Sequence, residues 1–247
     1  MAMQQILIVG GTSAIGEQVA RRLAARGAML YLTGRDGGRL APMADDLRVR
    51  GAARVAIEGL DLTDEPALAG LVSRAAQALG GLDAVLFAAG LLPDPARVNQ
   101  DANLLRETLA VNAISAMVVL NAAAAYFTQQ GHGRIVAIGS VAGDRGRAAN
   151  DVYGAAKGAL EIFISGLRQR LHGRGVQVLL VKPGFVDTPM TAGFTKGPLW
   201  ASPERVAQDI VRAMERRRSV IYTPWFWRWI MLIIRHLPER LFVRLRF

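Results

Sequence analysis

Cysteine is absent from the 247-residue chain, and this absence limits the chemistry that the protein can use. Without thiols there can be no disulfide and no thiolate-ligated metal, and the chain is compatible with a reducing compartment. His, Asp and Glu residues are not spaced as metal ligands, so we expect no metal site. The first ten residues lack a basic segment followed by a long apolar run, which argues against a signal peptide.

Linker-like segments are also lacking: no Ser-, Gly- or Pro-rich stretch and no block of like charge divides the chain. Its length suits one large domain. The formal net charge of +10 is concentrated at the C-terminus, where residues 212–247 contain nine Arg, two Glu and three of the four Trp. We therefore predict one α/β domain over residues 1–223 and a Trp- and Arg-rich amphipathic tail over residues 224–247.

Apolar segments alternate with helical patterns along the chain. The predicted strands cover residues 4–9, 28–33, 54–58, 84–88, 134–139, 176–181 and 219–222, and the predicted helices cover residues 14–26, 37–50, 65–79, 97–126, 152–171 and 203–217. Strands that are apolar throughout and alternate with helices are typical of a parallel sheet covered on both sides. Right-handed crossovers then give a seven-stranded, doubly wound Rossmann-type α/β fold.

A glycine-containing turn follows the first strand and opens the first helix. A pyrophosphate requires close backbone approach and free N–H groups at a helix N-terminus, and side chains beyond Cβ would obstruct it. A tight strand-to-helix turn can have the same pattern without binding a nucleotide. The predicted dinucleotide-binding residues of this turn are Gly10, Thr12, Ser13, Ile15 and Gly16.

The second strand ends at Gly34 and is followed by Arg35, where an NAD site usually has a carboxylate for the ribose 2′-hydroxyl. A guanidinium suits a 2′-phosphate, so we predict a preference for NADPH. Asp36 keeps NADH open as the alternative, and Arg35 could instead be a solvated loop residue. After the third strand, Asp61 and Leu62 lie where an adenine edge would be recognised.

Ser140 follows the fifth strand, and Tyr153 and Lys157 come four residues apart on the next predicted helix. Positions i and i+4 share a helix face, so both side chains point toward the strand end where Ser140 emerges. A phenol acts as an acid near pH 7 only if a neighbouring cation stabilises the phenolate. We predict that Tyr153 donates the proton in ketone reduction, that Lys157 supplies the cation, and that Ser140 stabilises the developing oxyanion.

Over residues 4–223 these motifs resemble the short-chain dehydrogenase/reductase family. The resemblance implies that Asn112 acts with the three reacting residues and holds a water that links the lysine to solvent. It implies cofactor contacts from Tyr153 and Lys157 themselves. Further implied cofactor contacts come from Ala89, Gly90, Pro183, Gly184, Val186 and Thr188. The chain departs from the family pattern at Ala14, Phe87 and Ala88, where the family has a glycine and two asparagines.

Three shorter stretches, at residues 10–16, 142–150 and 229–238, resemble the reductase subunits of decaprenylphosphoryl-ribose 2′-epimerase. Members of that family reduce a 2-keto pentofuranose on a polyprenyl phosphate, after a partner flavin-dependent oxidase has made the ketone. The resemblance implies the same reaction here. Arg145 and Arg147 precede the predicted tyrosine, in a loop expected to rim the pocket, and would suit a lipid phosphate. A solvated basic loop is the alternative.

The tail over residues 224–247 interleaves Trp, Ile and Leu with Arg. Its apolar run is too short and too charged to span a bilayer, which takes about 20 apolar residues. Trp with Arg suits the headgroup zone of an anionic membrane surface. We therefore predict a cytoplasmic protein held peripherally on the inner face of the cell membrane, with no nucleic-acid partner. The alternative is that the tail packs on the domain or on a second subunit.

Two other functions remain compatible with the sequence. A reductase of a 3-keto lipid, such as a 3-keto sphingoid base or a 3-oxoacyl thioester, would use the same reacting groups and the same tail. A non-catalytic nucleotide-sensing module is the other, although the complete set of reacting residues argues against it. The family resemblance implies a homodimer or homotetramer through the two long central helices, whose small residues would equally suit packing on the sheet.

Overall fold

The computed structural model describes residues 4–245. Arg246 and Phe247, the last two residues of the predicted tail, lie outside the described residues, as do residues 1–3. Seven strands form one parallel sheet in the order β3-β2-β1-β4-β5-β6-β7. The strands are β1 (Gln5–Val9), β2 (Met29–Gly34), β3 (Arg54–Gly59), β4 (Ala84–Phe87), β5 (Gly133–Ile138), β6 (Val176–Pro183) and β7 (Val220–Thr223). The strand order reverses between β1 and β4, which opens a crevice at the carboxyl ends of the strands. The predicted seven-stranded, doubly wound fold is confirmed.

Helices cover both faces of the sheet. One layer consists of α1 (Ala14–Ala24), α2 (Gly37–Val49) and α9 (Pro203–Glu215). The opposite layer consists of α3 (Glu65–Leu68), α4 (Leu71–Leu79), α5 (Pro95–Val98), α6 (Ala102–Leu109), α7 (Ser115–Gln130) and α8 (Asp151–Arg170). In β1, Ile6 and Ile8 face the first layer while Leu7 and Val9 face the second, and all four are fully buried. This two-sided burial explains why the strands are apolar throughout.

Two predicted helices are interrupted. Residues 65–79 form α3 and α4 rather than one helix, because Gly70 between them has a φ of +75°, which a helix does not accept. Residues 97–126 were predicted as one helix, but α5 and α6 are separate and α7 extends to Gln130. A π-helical turn over Ala110–Ile114 joins α6 to α7. Such turns occur frequently at functional sites.

The continuous helical segment Ala102–Gln130 has the length and the mean hydropathy, 1.7, of a membrane-spanning helix. Of the 18-residue window with this hydropathy, 56% is buried inside the domain. A core helix of a globular protein passes the same test of length and composition, so this segment is weak evidence for a membrane span.

The tail leaves the sheet after β7 and forms α10 (Trp227–His236) and α11 (Glu239–Phe242). On the inner side of α10, Trp227 and Met231 are buried and form an apolar cluster with Val141. The outer side exposes Trp229 and Ile233, which are 55% and 66% accessible. The first turns of the tail therefore pack on the domain, next to the turn that follows Ser140, while an apolar face remains in solvent.

Candidate active site

The three reacting residues predicted from the sequence come together at the carboxyl end of β5. Ser140 lies two residues beyond the strand, and its Oγ accepts a hydrogen bond from the Ala142 N–H at 3.1 Å. Tyr153 and Lys157 lie one turn apart on α8, and the Lys157 Nζ is 5.7 Å from the centre of the Tyr153 ring. The Lys157 Nζ also donates a hydrogen bond to the Ile138 carbonyl at 3.0 Å, which holds the ammonium at the strand end.

Asn112 lies in the π-helical turn and is fully buried. Its Nδ2 donates to the Leu91 carbonyl at 2.7 Å and to the Thr108 carbonyl at 2.9 Å, and its Oδ1 accepts from the Leu91 N–H at 3.1 Å. The amide thus ties the loop after β4 to the long helix. A Cβ on Gly90 would lie 3.1 Å from the Asn112 Oδ1 and 3.7 Å from the Lys157 Nζ, so a glycine lets this loop approach both side chains.

The electrostatics of the pair follow from burial. Removal of water raises the pKa of Tyr153 to about 12, and a hydrogen bond with the Ser140 side chain acts in the opposite direction. Burial lowers the pKa of Lys157 to about 8, and the negative charge of Glu161 opposes this shift. Lys157 is therefore largely protonated at pH 7, and its charge favours the phenolate form of Tyr153 in the reaction.

The turn after β1 has the geometry of a phosphate-binding turn. Gly10 has a φ of +81°, and a Cβ there would lie 2.6 Å from the Ala89 N. Gly16 fits equally tightly, since a Cβ would lie 2.5 Å from the Gly10 carbonyl oxygen. Ser13 caps α1: its Oγ accepts from the Gly16 N–H at 3.1 Å. The small residues thus leave the N-terminus of α1 open to close backbone approach by an anion.

The residues after β2 and β3 line the opposite end of the same cleft. Arg35 and Arg39 both face it, and Arg39 donates to the Thr12 carbonyl at 3.3 Å. The Asp36 carboxylate instead caps α2, accepting from the Gly38 N–H at 2.8 Å. Asp61 also lines the cleft. Hydrogen bonds from the Thr63 backbone and side chain lower the pKa of Asp61.

One cleft of about 1260 Å³ joins these parts. With the exception of Gly16, which lies behind the turn, every predicted cofactor residue lines it: Gly10, Thr12, Ser13, Ile15, Arg35, Asp61, Leu62, Ala89, Gly90, Tyr153, Lys157, Pro183, Gly184, Val186 and Thr188. A glycine cradle at a helix N-terminus and a basic rim fit a dinucleotide. At the reacting end the wall is aromatic: Phe185 stacks on Trp200 with ring centres 5.3 Å apart, and packs edge-on against Trp227 at 5.1 Å.

The expectation that Arg145 rims the pocket is wrong. Its guanidinium donates to the Ile234 and Leu237 carbonyls at 2.6 and 2.7 Å and pairs with Glu239 at 2.7 Å, so it fastens the tail. Arg147 does line the cleft. Burial lowers the pKa of Arg147, the Asp144 charge opposes this, and one of its N–H groups donates to the Val141 carbonyl at 3.1 Å.

Comparison with known proteins assigns the fold and the site to a family. The chain matches the sequence model of the short chain dehydrogenases over residues 4–198. It belongs to the short-chain dehydrogenase/reductase family. An uncharacterised oxidoreductase of Mycobacterium tuberculosis is 39% identical, over 95% of this chain and 94% of that protein. An uncharacterised oxidoreductase of Streptomyces coelicolor is 37% identical, over 98% of this chain and 96% of that protein.

Solved structures agree with this assignment. A short-chain dehydrogenase from Sphingobium yanoikuyae in complex with NADPH has a TM-score of 0.84 and 28% identity, covering 99% of this chain and 97% of that one. A bulky-bulky ketone specific alcohol dehydrogenase from Comamonas testosteroni has a TM-score of 0.83 and 26% identity, covering 100% and 96%. The short-chain dehydrogenase/reductase described here is therefore an NAD(P)-dependent oxidoreductase acting on CH–OH and C=O groups, and the alternative of a non-catalytic module is set aside.

The geometry fits the part that the sequence predicts for each residue in that chemistry. The nicotinamide, when bound, would supply or accept the hydride. Tyr153 would donate the proton that a new alkoxide needs, and it would take that proton back in the oxidation direction. The charge of Lys157 would favour the phenolate of Tyr153, whose pKa burial raises to about 12, and Ser140 would donate a hydrogen bond to the developing oxyanion.

Sequence reasoning missed several residues of the site. Arg39 lies in the first turn of α2, four residues after Arg35, and a second arginine so close to the end of β2 was the available signal. Glu161 follows Lys157 by four positions on α8, and this helical spacing was the available signal. The contact of Trp227 with Phe185 had no local signal, because the two residues belong to different elements of the chain.

Proposed function

We propose that this enzyme is an NADPH-dependent reductase of a ketone on a lipid-linked substrate, such as a polyprenylphosphoryl 2-keto-pentofuranose. The observation that supports this proposal most is that the tail packs against a residue that lines the cleft. Trp227 packs on Phe185 inside the cleft, and the same helix presents apolar side chains to solvent. A substrate whose head must reach Tyr153 while its chain stays in a lipid surface would use both sides of this helix.

The exposed surface of the tail supports attachment to an anionic membrane. Its exposed apolar residues are Trp225, Trp229, Leu232, Ile233, Leu241, Val243 and Leu245, and its arginines include Arg228, Arg235, Arg240 and Arg244. Aromatic and aliphatic groups among arginines suit the boundary between headgroups and acyl chains. The proposed location is peripheral, on the inner face of the cell membrane, through residues 224–247.

The cleft supports a bulky ketone and a phosphate near it. Arg147 is the cation available close to Ser140, since Arg145 is bound to the tail. A guanidinium binds a phosphate by two parallel hydrogen bonds. The structural relative from Comamonas testosteroni is specific for bulky-bulky ketones, and the cleft of this chain has a volume of about 1260 Å³.

The basic end of the cleft supports NADPH rather than NADH. Arg35 and Arg39 face the cleft, whereas Asp36, which could have held a ribose 2′-hydroxyl, is bound to the start of α2. An unscreened acid at this place would repel a 2′-phosphate, and two guanidinium groups would attract it. The relative from Sphingobium yanoikuyae binds NADPH.

Two partners belong to this proposal. A flavin-dependent oxidase would supply the ketone. Further copies of the chain would form a homodimer or homotetramer through α7 and α8, where Val118 and Ile162 are exposed by 39% and 77%.

The substrate is tested by offering three ketones in micelles with NADPH: a polyprenylphosphoryl 2-keto-pentofuranose, a 3-keto sphingoid base and a 3-oxoacyl thioester. We expect the sugar lipid to be reduced, with Tyr153→Phe as the inactive control. Replacement of Arg147 by Gln should raise KM for the phosphate-bearing ketone alone. Reduction of the sphingoid base or the thioester, with none of the sugar lipid, would favour the alternative of a 3-keto lipid reductase.

A further inference from the structure

A buried carboxylate lies directly behind the reacting residues. Glu161 follows Lys157 by one helical turn on α8 and points at the turn that carries Ser140. A Cβ on Gly139 would lie 3.3 Å from the Glu161 Oε1, and a Cβ on Gly143 would lie 2.6 Å from it. Two glycines therefore make room for this carboxylate on either side of Ser140.

Glu161 belongs to a cluster of three buried charges. The Lys182 Nζ, on β6, lies 2.6 Å from Glu161 Oε2 and 2.6 Å from Asp144 Oδ1. The three side chains are at most 10% exposed. Two carboxylates therefore share one ammonium in this cluster. Like and opposite charges act strongly at such short range when water is excluded.

The effect of this charge on Lys157 has a definite sign. Burial lowers the pKa of Lys157 to about 8, and Glu161 is the group that opposes this shift. Burial raises the pKa of Glu161 to about 7, while Lys182 and the backbone N–H of Ser140 favour its charged form. Burial would lower the pKa of Lys182, but the Glu161 and Asp144 carboxylates raise it above its usual value.

We propose that Glu161 is a positioning residue of this enzyme, whose carboxylate, held by Lys182 behind the Ser140 turn, keeps the buried Lys157 ammonium charged. The charge of Glu161 would set the fraction of the enzyme in which Lys157 is protonated. Because a protonated Lys157 favours the phenolate, this is also the fraction in which Tyr153 can act as the acid. Glu161 is four residues from Lys157 and does not line the cleft, so it acts through another residue and not on the substrate.

The surroundings of Glu161 contain the other charges that bear on this role. The ionisable groups that face the cluster are Lys157 on α8, Lys182 on β6, Asp144 and Arg147 from the loop before α8, Tyr222 on β7 and Arg235 on α10. The Tyr222 hydroxyl donates to the Asp144 Oδ2 at 3.0 Å. The Arg235 guanidinium lies 3.9 Å from the Asp144 Oδ1. Tyr222 and Arg235 thus contact Asp144 rather than Glu161, and Glu161 is the carboxylate whose charge acts on Lys157.

The scarcity of lysine makes a direct test possible. The chain contains three lysines, Lys157, Lys182 and Lys196, so protein enriched with ¹³C-lysine gives three side-chain signals to titrate by NMR. Lys157→Met and Lys196→Arg assign them. In the wild type the Lys157 signal should titrate near pH 8. In Glu161→Gln its midpoint should fall by about one pH unit, because an adjacent opposite charge is lost.

Two further variants separate charge from packing. Glu161→Asp keeps the carboxylate and should return the Lys157 midpoint toward the wild-type value. Ile164→Val, on the same helix and fully buried, perturbs packing without changing charge and should leave the midpoint unchanged. An unaltered Lys157 titration in Glu161→Gln, or an equal shift in Ile164→Val, would overturn the proposal.

A reciprocal measurement covers the case in which Glu161→Gln does not fold. Coupling between two titrating groups acts equally in both directions. In protein enriched with ¹³C-glutamate, Lys157→Met should therefore raise the midpoint of Glu161 by the same amount that Glu161→Gln lowers that of Lys157. A Glu161 midpoint that is identical in the wild type and in Lys157→Met would refute the coupling.

Discussion

Arg35 and Arg39 show how much cofactor choice depends on single side chains. Both face the cleft, and the nearby Asp36 is bound to the N-terminus of α2. A charge-assisted hydrogen bond contributes roughly 1.5–3 kcal/mol, so losing even one such partner should weaken binding of a 2′-phosphate by about tenfold or more.

The double variant Arg35→Ser/Arg39→Ser tests this expectation. Its Kd for NADPH, measured by fluorescence titration, should rise by about tenfold or more, while its Kd for NADH should remain near the wild-type value. NADH serves as the internal control for damage to the glycine turn. Equal losses for both dinucleotides would show that the two arginines do not recognise the 2′-phosphate.

Lys157 predicts a pH dependence of stability. Its pKa in the folded protein, about 8, lies below the usual 10.5, so folding disfavours its charged form. The cost is absent above pH 10.5, grows as the pH falls from 10.5 to 8, and is constant below 8. Relative to Lys157→Met, the wild type should thus lose about 3 kcal/mol of unfolding free energy between these limits. Urea unfolding of both proteins at several pH values measures the difference, and a pH-independent difference would contradict the prediction.

The reacting residues were predictable because their signal is local. Ser140 follows a strand, and Tyr153 and Lys157 have the spacing of one helical turn. The role of Arg145 was not predictable, because its partners at Ile234, Leu237 and Glu239 lie about ninety residues further along the chain. The same holds for Lys182, whose partners come from two other elements.

At the scale of elements, α10 and the loop after β6 support each other. Trp227 is 3% exposed, packs edge-on against Phe185, and lies so close to Gly184 that a Cβ there would collide with its ring. The end of β6 and this loop contribute four of the residues that we expect to contact the cofactor. The position of the helix and the shape of the cofactor site are therefore linked.

Trp227→Ala measures this link. Truncating a buried tryptophan should lower the free energy of unfolding by about 3–5 kcal/mol and should also weaken cofactor binding, since the loop loses its support. Trp229→Ala, on the exposed side of the same helix, is the matched control and should change stability by no more than about 0.5 kcal/mol. Similar effects of the two substitutions in urea unfolding would show that the inner side of α10 is not specially packed.

Sequence patterns located the strands and helices well but not their interruptions. The central strands read as apolar runs because both faces are covered, as in β1 and β4. The break at Gly70 was visible as a glycine, yet glycine inside a helix is often tolerated. The π-helical turn at Asn112 had no signal, because its extra residue is accommodated by packing between α6 and α8.

At the scale of the whole molecule, charge and exposed apolar groups lie at one end of the chain. Residues 212–247 contain nine of the arginines. The outer face of α10 presents Trp229, Leu232 and Ile233 to solvent. Electrostatic attraction of the arginines to anionic lipid and burial of the apolar side chains in the membrane would both favour binding. The electrostatic contribution would weaken as the salt concentration rises.

Vesicles of phosphatidylcholine and phosphatidylglycerol test this surface. The wild type should co-sediment with them at low salt. Trp229→Ser/Ile233→Ser should partition at least about tenfold more weakly, because two apolar anchors are lost. Val49→Ser removes an even more exposed apolar side chain outside the tail and should sediment like the wild type. Equal sedimentation of all three proteins would rule out the tail as the attachment site.

The packing of Trp227 against Gly184 and Val141 limits how the tail can be removed in an experiment. A variant that ends at Thr223 would lack Trp227, which packs against the loop after β6. It would expose that loop and the apolar surface around Val141 to solvent. We expect the shortened protein both to aggregate and to bind the dinucleotide poorly. Truncation would therefore not separate an effect on lipid binding from an effect on activity. Substitution of exposed side chains of the tail would separate them.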